Sequence, residues 1–497
     1  MECKIYSSSQ KGCAGTGGIL NLICSAFKAG QQRCTEGGKM ARHAVDVGSY
    51  AENITRQLAA YSSGLKFQNL PSEIVLVAKQ CVLDGLGVML AGSREPLAKK
   101  VISFVREEGG NPKSTVVGYG DRTSPSQAAF VNGTAAHALD YDDVLRPLHG
   151  HPTVTVLPVV LALGEKLGVG GKEMITAFVA GVEIDARVGA MMGDKHYEKG
   201  WHATGTVGTL GAAAAAARLM NLNADQTAHC LGIAATQAAG LKCMFGTECK
   251  PLHAGKAAMN GVIAAELAAR EFISRADVLE CRQGFADTQT DSFQPHEALE
   301  KLGNIFHTLD VKFKYHASCF GTHAMLEAMA TIKKNPAFDA EKLERIELRV
   351  PPFALDVCNI QEPKTGHETK FSYRHSAALA ILGEETSSLE SYNDVAAQRA
   401  DIAEMRKKVF VSSAKNLDRY ASDVFVYLNN KTVITEHGDM GPPVEDLGTQ
   451  GEKLEHKFRA LARPLIGHCN TNQVIDAVWS FECQSGICTA LSGLKIA

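Results

Sequence analysis

The chain has 497 residues, of which 45% are hydrophobic and 21% charged, so two globular domains are expected and a disordered chain is excluded. The formal net charge of −3 favours neither a nucleic-acid partner nor an anionic membrane surface. Apolar runs such as 154–163 and 210–219 are shorter than the roughly 20 residues that a transmembrane helix needs, and we expect no membrane contact.

The first segment of the chain differs from the rest. Residues 1–39 contain four of the fourteen cysteines and five Lys or Arg against two acids, with Gly- and Ser-rich pieces. We interpret residues 1–44 as a poorly ordered N-terminal extension. The cysteines of the whole chain are scattered singly, which is typical of reduced thiols and favours a cytoplasmic protein. A mitochondrial location is the alternative if the extension is a targeting segment.

Residues 45–307 have a helical pattern. Ile74, Val77, Cys81 and Val88 form one apolar stripe after a helix start at Pro71 and Ser72. The run of six alanines at 212–217 predicts a helix of little bulk, so neighbouring backbones can approach closely. This part is predicted to be the first portion of a large all-helical domain.

The loop at 138–153 concentrates titratable groups. It holds Asp140, Asp142, Asp143, His149 and His151 within sixteen residues. Carboxylates that are charged at neutral pH, beside imidazoles that titrate near it, are what proton transfer requires. We also predict a helix that begins at 124–125 and continues as far as Asp140, one turn after a histidine on the same face.

The periodicity changes after about residue 308. Ile346, Leu348 and Val350 alternate with charged residues, and 424–428 and 433–434 flank an Asn-Asn-Lys turn as a predicted hairpin. Helical patterns return at 452–461 and 472–481. The fold class is therefore predicted to be mainly α. A helical domain built from 45–307 and 446–497 would carry an inserted, smaller α+β lid domain at 308–445, with a cleft between them.

Six ordered blocks resemble one known family over about 46–482. The chain resembles the MmgE/PrpD family, which contains 2-methylcitrate dehydratase, cis-aconitate decarboxylase and iminodisuccinate epimerase. The blocks are NGTAAHALDYDD at 132–143, HPT at 151–153, GWH at 200–202, KPLHAG at 250–255, FK at 313–314 and KFSYRH at 370–375. The resemblance implies a helical domain with an α+β lid, a homodimer, a small polycarboxylate substrate, and neither a metal nor an organic cofactor.

The resemblance also implies the catalytic residues, which are Asp140, His151, His202, Lys250 and Lys314. Two lysines from different predicted domains would meet on one anion when the cleft closes and would stabilise the charge that develops beside its carboxylate. His151 is the first choice for the acid and base. His202 precedes a helix whose N-terminus favours an anion, so it could orient a carboxylate.

Four further histidines are predicted to bind substrate, namely His149, His253, His316 and His323. The choice between His149 and His151 is open, because the loop is one residue longer than in some relatives. Pro152 directly after His151 favours the second. Leu355 stands about where the cis-aconitate decarboxylase branch carries a tyrosine, which weakens the decarboxylase interpretation.

We therefore predict a cofactor-independent lyase, with dehydration first, epimerisation second and decarboxylation as a further alternative. Outside the family, His149-Gly-His151 with nearby aspartates suggests a metal-dependent hydrolase. A nucleotide-binding protein is less favoured, because the glycines at 168–171 lack phosphate-loop spacing. A non-catalytic member of the family is the third alternative, and the preserved site residues count against it.

Overall fold

Long helices rich in small apolar residues form most of the chain in the computed structural model, which describes residues 53–442, 444–486 and 493–496. The mainly α prediction is confirmed. The predicted extension at 1–44, and the proposed helical start at Val45, lie outside the described residues.

The helical part before residue 308 contains eleven α-helices among the described residues. They are α1 (Ile54–Gly64), α2 (Ser72–Gly92), α3 (Pro96–Glu108), α4 (Pro125–His137), α5 (Thr153–Leu167), α6 (Gly171–Glu198), α7 (Ala203–Leu219), α8 (Ala224–Ala235), α9 (Cys249–Ala268), α10 (Phe285–Gln289) and α11 (Pro295–Leu299). The predicted stripe lies in α2 and the alanine run in α7, both deeply buried. Three two-residue strands also occur here, which the periodicity did not predict: β1 (Ser114–Thr115), β2 (Arg122–Thr123) and β3 (Val144–Leu145).

Helix α2 is long and apolar enough to cross a membrane by length and composition, unlike the shorter runs considered from the sequence. Its most apolar window, however, is 89% buried inside the protein. Apolar residues all around a helix are equally typical of the central helix of a globular core. Burial against other helices is therefore sufficient to account for its composition.

Residues 308–445, here called the α+β segment, contain the four-stranded sheet. Its elements are β4 (Val311–Lys312), α12 (His323–Lys334), β5 (Leu343–Val350), α13 (Pro352–Cys358), α14 (Gly366–Thr369), α15 (Tyr373–Leu382), α16 (Asp394–Ala397), α17 (Ala400–Lys407), β6 (Val409–Ser413), β7 (Ala421–Leu428) and β8 (Val433–Asp439). The strand order is β6-β5-β7-β8, with β5 and β6 parallel and the other pairs antiparallel. The predicted hairpin is confirmed as β7 and β8.

The chain then returns to helix as α18 (Leu447–Trp479). The backbone leaves the helical conformation at Gly467, where φ is 74°, so the two predicted helices at 452–461 and 472–481 are the two halves of this element. Helix α18 packs against α2, which brings the C-terminal part of the chain back to its beginning.

Buried apolar side chains form two clusters. The larger cluster extends through the helices and includes residues of α18 such as Phe458. The smaller cluster lies within the α+β segment, between the inner face of β5 and β7 and the helices α12 and α15. The described residues nevertheless belong to one compact unit.

Two contacts bring distant elements of the site together. Helices α4 and α9 cross where Gly133 faces Gly255, and a Cβ on Gly133 would lie 2.9 Å from the Gly255 Cα. Only glycine permits this approach. On the other side, β3 pairs with β4, with Val144 opposite Lys312. The short antiparallel ladder attaches the α+β segment directly to the titratable loop.

Candidate active site

The titratable loop starts where α4 stops. Ser124 caps the helix by accepting a hydrogen bond from the Gln127 backbone, as its sequence predicts. The helix ends at His137, however, and Asp140 lies beyond it with a φ of 52°. The prediction that Asp140 follows His137 on one helical face is therefore wrong, because the chain turns through a left-handed conformation that aspartate tolerates.

Asp140 forms ion pairs with both predicted catalytic lysines. Its Oδ1 lies 2.8 Å from Lys250 Nζ and 3.1 Å from Lys314 Nζ. Burial alone would raise the pKa of Asp140, but the two ammonium groups outweigh it and hold that pKa well below its usual range. Burial alone would likewise lower the pKa of Lys314, which Asp140 raises above its usual value. Asp140 and Lys314 are therefore both charged at neutral pH.

His151 is held through one ring nitrogen and presents the other to Asp140. Its Nδ1 lies 2.8 Å from Asp142 Oδ2 and 2.8 Å from the Asp143 carbonyl oxygen. Since both partners only accept, Nδ1 carries the proton. The Nε2 of His151 points toward Asp140, 3.9 Å from its Oδ1. In the neutral ring Nε2 is then an unprotonated base, and in the charged ring it is an acid.

A glycine allows His151 to reach this place. Gly150 lies against the first turn of α7, where an added Cβ would be 2.7 Å from Thr204 Oγ1 and 3.0 Å from Thr204 N. The His151 backbone N–H donates to the same Thr204 hydroxyl at 3.2 Å. The loop is thus docked on the beginning of α7 immediately before the reactive imidazole.

Asp142 joins His151 to a second, fully buried histidine. His137 Nδ1 donates to both Asp142 oxygens at 3.0 Å, and the rings of His137 and His151 are 4.5 Å apart. Burial lowers the pKa of His137 to about 4, so this ring is neutral at pH 7. Burial would raise the pKa of Asp142, but the two imidazoles hold it well below its usual range. Asp142 therefore remains ionised and orients His151.

His202 and His253 form the next pair. His202 occupies the N-cap position of α7, and its Nδ1 lies 3.0 Å from the Nδ1 of His253. Its ring also packs edge-on against Phe245 at 4.9 Å. Burial, with the cations around it, lowers the pKa of His202 far below its usual value. His202 is thus a neutral hydrogen-bonding group within 5.9 Å of the His137 ring.

The structure separates His149 from this group. His149 has a φ of 52°, and its Nε2 lies 3.0 Å from Oδ1 of the exposed Asp194. Its ring faces Tyr197 at 6.1 Å. The imidazole that lies beside Asp140 and its two lysine partners is that of His151.

His316 and His323 lie together on the α+β segment, with ring centroids 5.0 Å apart. His316 bonds to Thr386 Oγ1 at 2.7 Å through Nδ1 and lies 3.3 Å from Glu327 through Nε2. The fully buried His323 contacts the Ser318 carbonyl at 3.4 Å. Their hydrogen bonds thus go to their own segment, although the charge of Lys314 reaches His323.

Three neighbouring residues were not among the predicted site residues. Asp142 and His137 stand in the block at 132–143, but spacing alone did not show that they bond to each other. Lys370 begins the last block, and its half-buried ammonium interacts electrostatically with Asp140 and Lys314. Burial lowers the pKa of Lys370. The shared signal was membership of a block that resembles the family, which sequence reasoning used only for recognition.

The arrangement suits proton transfer beside an anion. We call His137, Asp140, Asp142, His151, Lys250 and Lys314 the His151 cluster. It combines an oriented imidazole, whose Nε2 can give or take a proton, with ammonium groups that stabilise negative charge on a bound acid. Tyr141 anchors the titratable loop to the α+β segment, because its hydroxyl donates to the carbonyls of Tyr315 at 2.8 Å and Ser387 at 3.1 Å.

Some of the same residues have ligand chemistry suited to a divalent metal. One atom each from His137, Asp140, Asp142 and His151 lies within 4.8 Å of the others. His149, on which the hydrolase alternative depended, is not in this group. A metal here would have to displace two ammonium groups from Asp140 Oδ1, so the geometry fits an anion-binding site better.

The comparisons with known proteins agree with the resemblance. Family models described as the MmgE/PrpD N-terminal and C-terminal domains match residues 56–298 and 316–480. The chain is 29% identical to cis-aconitate decarboxylase of Mus musculus over 449 residues, which cover 87% of this chain and 91% of that protein. It is 28% identical to the Homo sapiens protein of that name, with 87% and 92% covered. A cis-aconitate decarboxylase of Aspergillus terreus is 25% identical, with 86% and 93% covered.

Proposed function

The chain belongs to the MmgE/PrpD family and is a lyase of dehydratase or decarboxylase type, and from that premise we propose that it acts on an aconitate-like acid. The reacting carbon would lie next to a carboxylate, between His151 Nε2 and the two lysines. The observation that carries this proposal is the placement of Lys250 and Lys314 on one oxygen of Asp140, beside that nitrogen.

The lysines would bind and stabilise the substrate as an anion. A carboxylate of the acid would contact the ammonium groups of Lys250 and Lys314, with Asp140 holding them in place. Proton loss or loss of carbon dioxide at the adjacent carbon leaves an electron pair that spreads into this carboxylate. Two nearby cations lower the energy of that intermediate. Lys370 supplies a third positive charge for an acid that carries more than one carboxylate.

Decarboxylation is the first candidate reaction, because the similar proteins are named cis-aconitate decarboxylases. In this reaction the bond to the departing carboxylate breaks, carbon dioxide leaves, and the electron pair stays on the substrate. The charged His151 ring then gives its Nε2 proton to carbon. Asp142 stabilises the charged ring before the transfer.

Dehydration is the second candidate, and Leu355 favours it. This residue is half-buried on α13, packs against the smaller apolar cluster and has no proton to give. By the resemblance, it stands about where the decarboxylase branch carries a tyrosine. In dehydration, neutral His151 takes the proton from carbon through Nε2 and returns it to the neighbouring hydroxyl, which leaves as water while the electron pair forms the new double bond. The same imidazole would act in both reactions: it would be protonated at the start of the decarboxylation and neutral at the start of the dehydration.

Proton NMR of the purified enzyme in heavy water distinguishes these reactions. The substrates are cis-aconitate, citrate and 2-methylcitrate, each with and without enzyme. Decarboxylation would incorporate deuterium and release carbon dioxide from cis-aconitate, whereas dehydration would form a new double bond from a hydroxy acid. If none of the three acids changes or exchanges deuterium, the proposed function is wrong.

We also propose the domain arrangement and the homodimer that the resemblance implied. In this arrangement the α+β segment, which has its own apolar cluster, is a lid that carries Lys314 toward Lys250. Sedimentation at equilibrium tests the dimer, which should have about twice the 53.1 kDa mass of the chain. A concentration-independent monomer would contradict it.

A further inference from the structure

A cleft of about 730 Å³ lies on the α+β segment, and no residue of the His151 cluster lines it. We call it the basic cleft. Its charged lining residues are Lys364, Arg374, Arg406, Lys407 and Glu362. The volume is in the range of small-molecule sites. Four cationic side chains thus face one carboxylate in a concave space.

Neither arginine of the basic cleft forms an ion pair, although Glu362 lies close enough to interact electrostatically with Arg406. Arg374 Nη1 donates to Asn359 Oδ1 at 2.7 Å, and Arg406 Nη1 donates to the Pro363 carbonyl at 3.3 Å. Both side chains are half-buried. Within the described ranges, no carboxylate oxygen lies within 4.0 Å of either guanidinium, and Lys364 forms no ion pair. Lys407 differs, because it lies 2.6 Å from Glu404.

Partly buried guanidinium groups without counter-ions are costly, and most such groups in proteins are paired. Burial lowers the pKa of both Arg374 and Arg406, and the nearby Glu362 only partly offsets this effect for Arg406. The planar fork of arginine binds phosphate oxygens in a bidentate manner. Two such forks beside a lysine match a ligand with at least two negative charges.

The lining of the cleft also includes apolar residues. Phe410 lies on β6, at the edge of the sheet, and is 54% exposed. Ala397 and Ala403 line the cleft as well. An exposed aromatic ring in the same cleft as the two arginines offers a stacking surface for a flat ring.

We propose that the basic cleft is a second binding site, specific for a nucleotide that carries a diphosphate or triphosphate. Its phosphates would contact Arg374, Arg406 and Lys364, and its base would lie on Phe410. This site is separate from the lyase site and does not depend on the proposed reaction.

Isothermal titration of the whole protein with ADP, pyrophosphate and citrate, at matched ionic strength, tests the proposal. ADP should bind most tightly, pyrophosphate more weakly and citrate weakest. Replacing Phe410 by Ala should reduce ADP binding about tenfold and leave pyrophosphate binding unchanged. Lys364→Glu should weaken both phosphate ligands at least tenfold. The matched control is Lys334→Gln, an exposed lysine on α12 outside the cleft, which should bind as the wild type does.

Three results would overturn the proposal. The first is a wild-type protein that binds neither ADP nor pyrophosphate. The second is citrate bound more tightly than ADP with the same dependence on Lys364, which would identify a carboxylate site. The third is unchanged ADP affinity in both Lys364→Glu and Arg374→Gln/Arg406→Gln. The exposed Lys364 keeps the test decisive even if the double arginine variant fails to fold.

Discussion

The His151 cluster and the basic cleft both contain several cationic side chains, but the partners of these side chains differ between the two regions. In the cluster each cation has a carboxylate, since Asp140 holds Lys250 and Lys314. In the basic cleft two guanidinium groups contact only neutral oxygens. Ion pairs fix the side chains of the cluster in position, and two ammonium groups on one carboxylate still leave positive charge for a bound acid. Unmatched charges attract an anion without performing chemistry on it.

Removing the reactive imidazole should have the largest effect. We expect His151→Ala to reduce kcat by about 10³-fold, because it removes the general acid and base. Its thermal transition should stay nearly unchanged, since Asp142 keeps its bond to His137. The matched control is His149→Ala, two residues away but paired with Asp194, which should retain most activity. A His151→Ala protein that is nearly as active as the control would refute the assigned role.

Neutralising the carboxylate behind His151 should have the next largest effect. Asp142→Asn keeps the shape but replaces an ionised acceptor, so it should reduce kcat by about 10²-fold with little change in KM. Steady-state kinetics on the substrate identified by NMR measure both constants. An effect on KM alone would show that Asp142 acts on binding rather than on the imidazole.

Breaking one matched pair should weaken binding. Lys250→Met removes a charged contact and should raise the Kd of a substrate analogue roughly 10- to 100-fold, the loss expected for a charge-assisted hydrogen bond. Lys256→Met is the control, because Lys256 is exposed on the same helix. Isothermal titration measures both. Equal affinities in the two variants would remove Lys250 from the anion site.

A smaller effect is expected in the pH dependence of the free energy of unfolding, which tests the buried Asp143 next to Asp142 of the His151 cluster. Burial raises the pKa of Asp143 to about 8, against 3.8 for an ordinary aspartate. The folded state therefore binds more protons between these pH values, and this contribution to the free energy of unfolding is lost as pH rises toward 8. Urea unfolding at several pH values from about 6.5 to 8 should show a shallower decline for Asp143→Asn than for the wild type. Equal slopes would contradict the raised pKa.

The smallest effect on activity is expected from a substitution in the basic cleft. Lys364→Gln lies outside the His151 cluster, so we expect kcat to change by less than about twofold in the absence of nucleotide. The same kinetic assay measures it. A large loss of basal activity would show that Lys364 contributes to the lyase site and would contradict the independence of the two sites.

Local sequence signals predicted much of the fold. The apolar stripe predicted α2, Ser124 and Pro125 predicted the start of α4, and alternation predicted β5 and the β7–β8 hairpin. These features depend on neighbouring residues, whose spacing is visible in the chain. The end of α4 was predicted wrongly, because the left-handed turn at Asp140 is imposed by contacts with distant residues.

The site was only partly predictable for the same reason. Sequence blocks identified the five candidate catalytic residues, but not the bonds of Asp142 to His137 and His151. Pro152 favoured His151 over His149 from the sequence, but only the structure showed that His151 lies beside Asp140 and His149 beside Asp194. The spacing of residues along the sequence also did not predict the basic cleft, because its lining comes from four separate stretches of the α+β segment.

The amino-acid sequence by itself determined the main helices, the strands β5, β7 and β8, the family and the identity of the charged groups. Only the tertiary structure decided which of those groups meet. Lys314 lies 174 residues from Asp140 along the chain and reaches it through the ladder between β3 and β4. Periodicity reports on the environment of single residues, whereas such pairings depend on how distant elements pack, and that is a property of the whole fold.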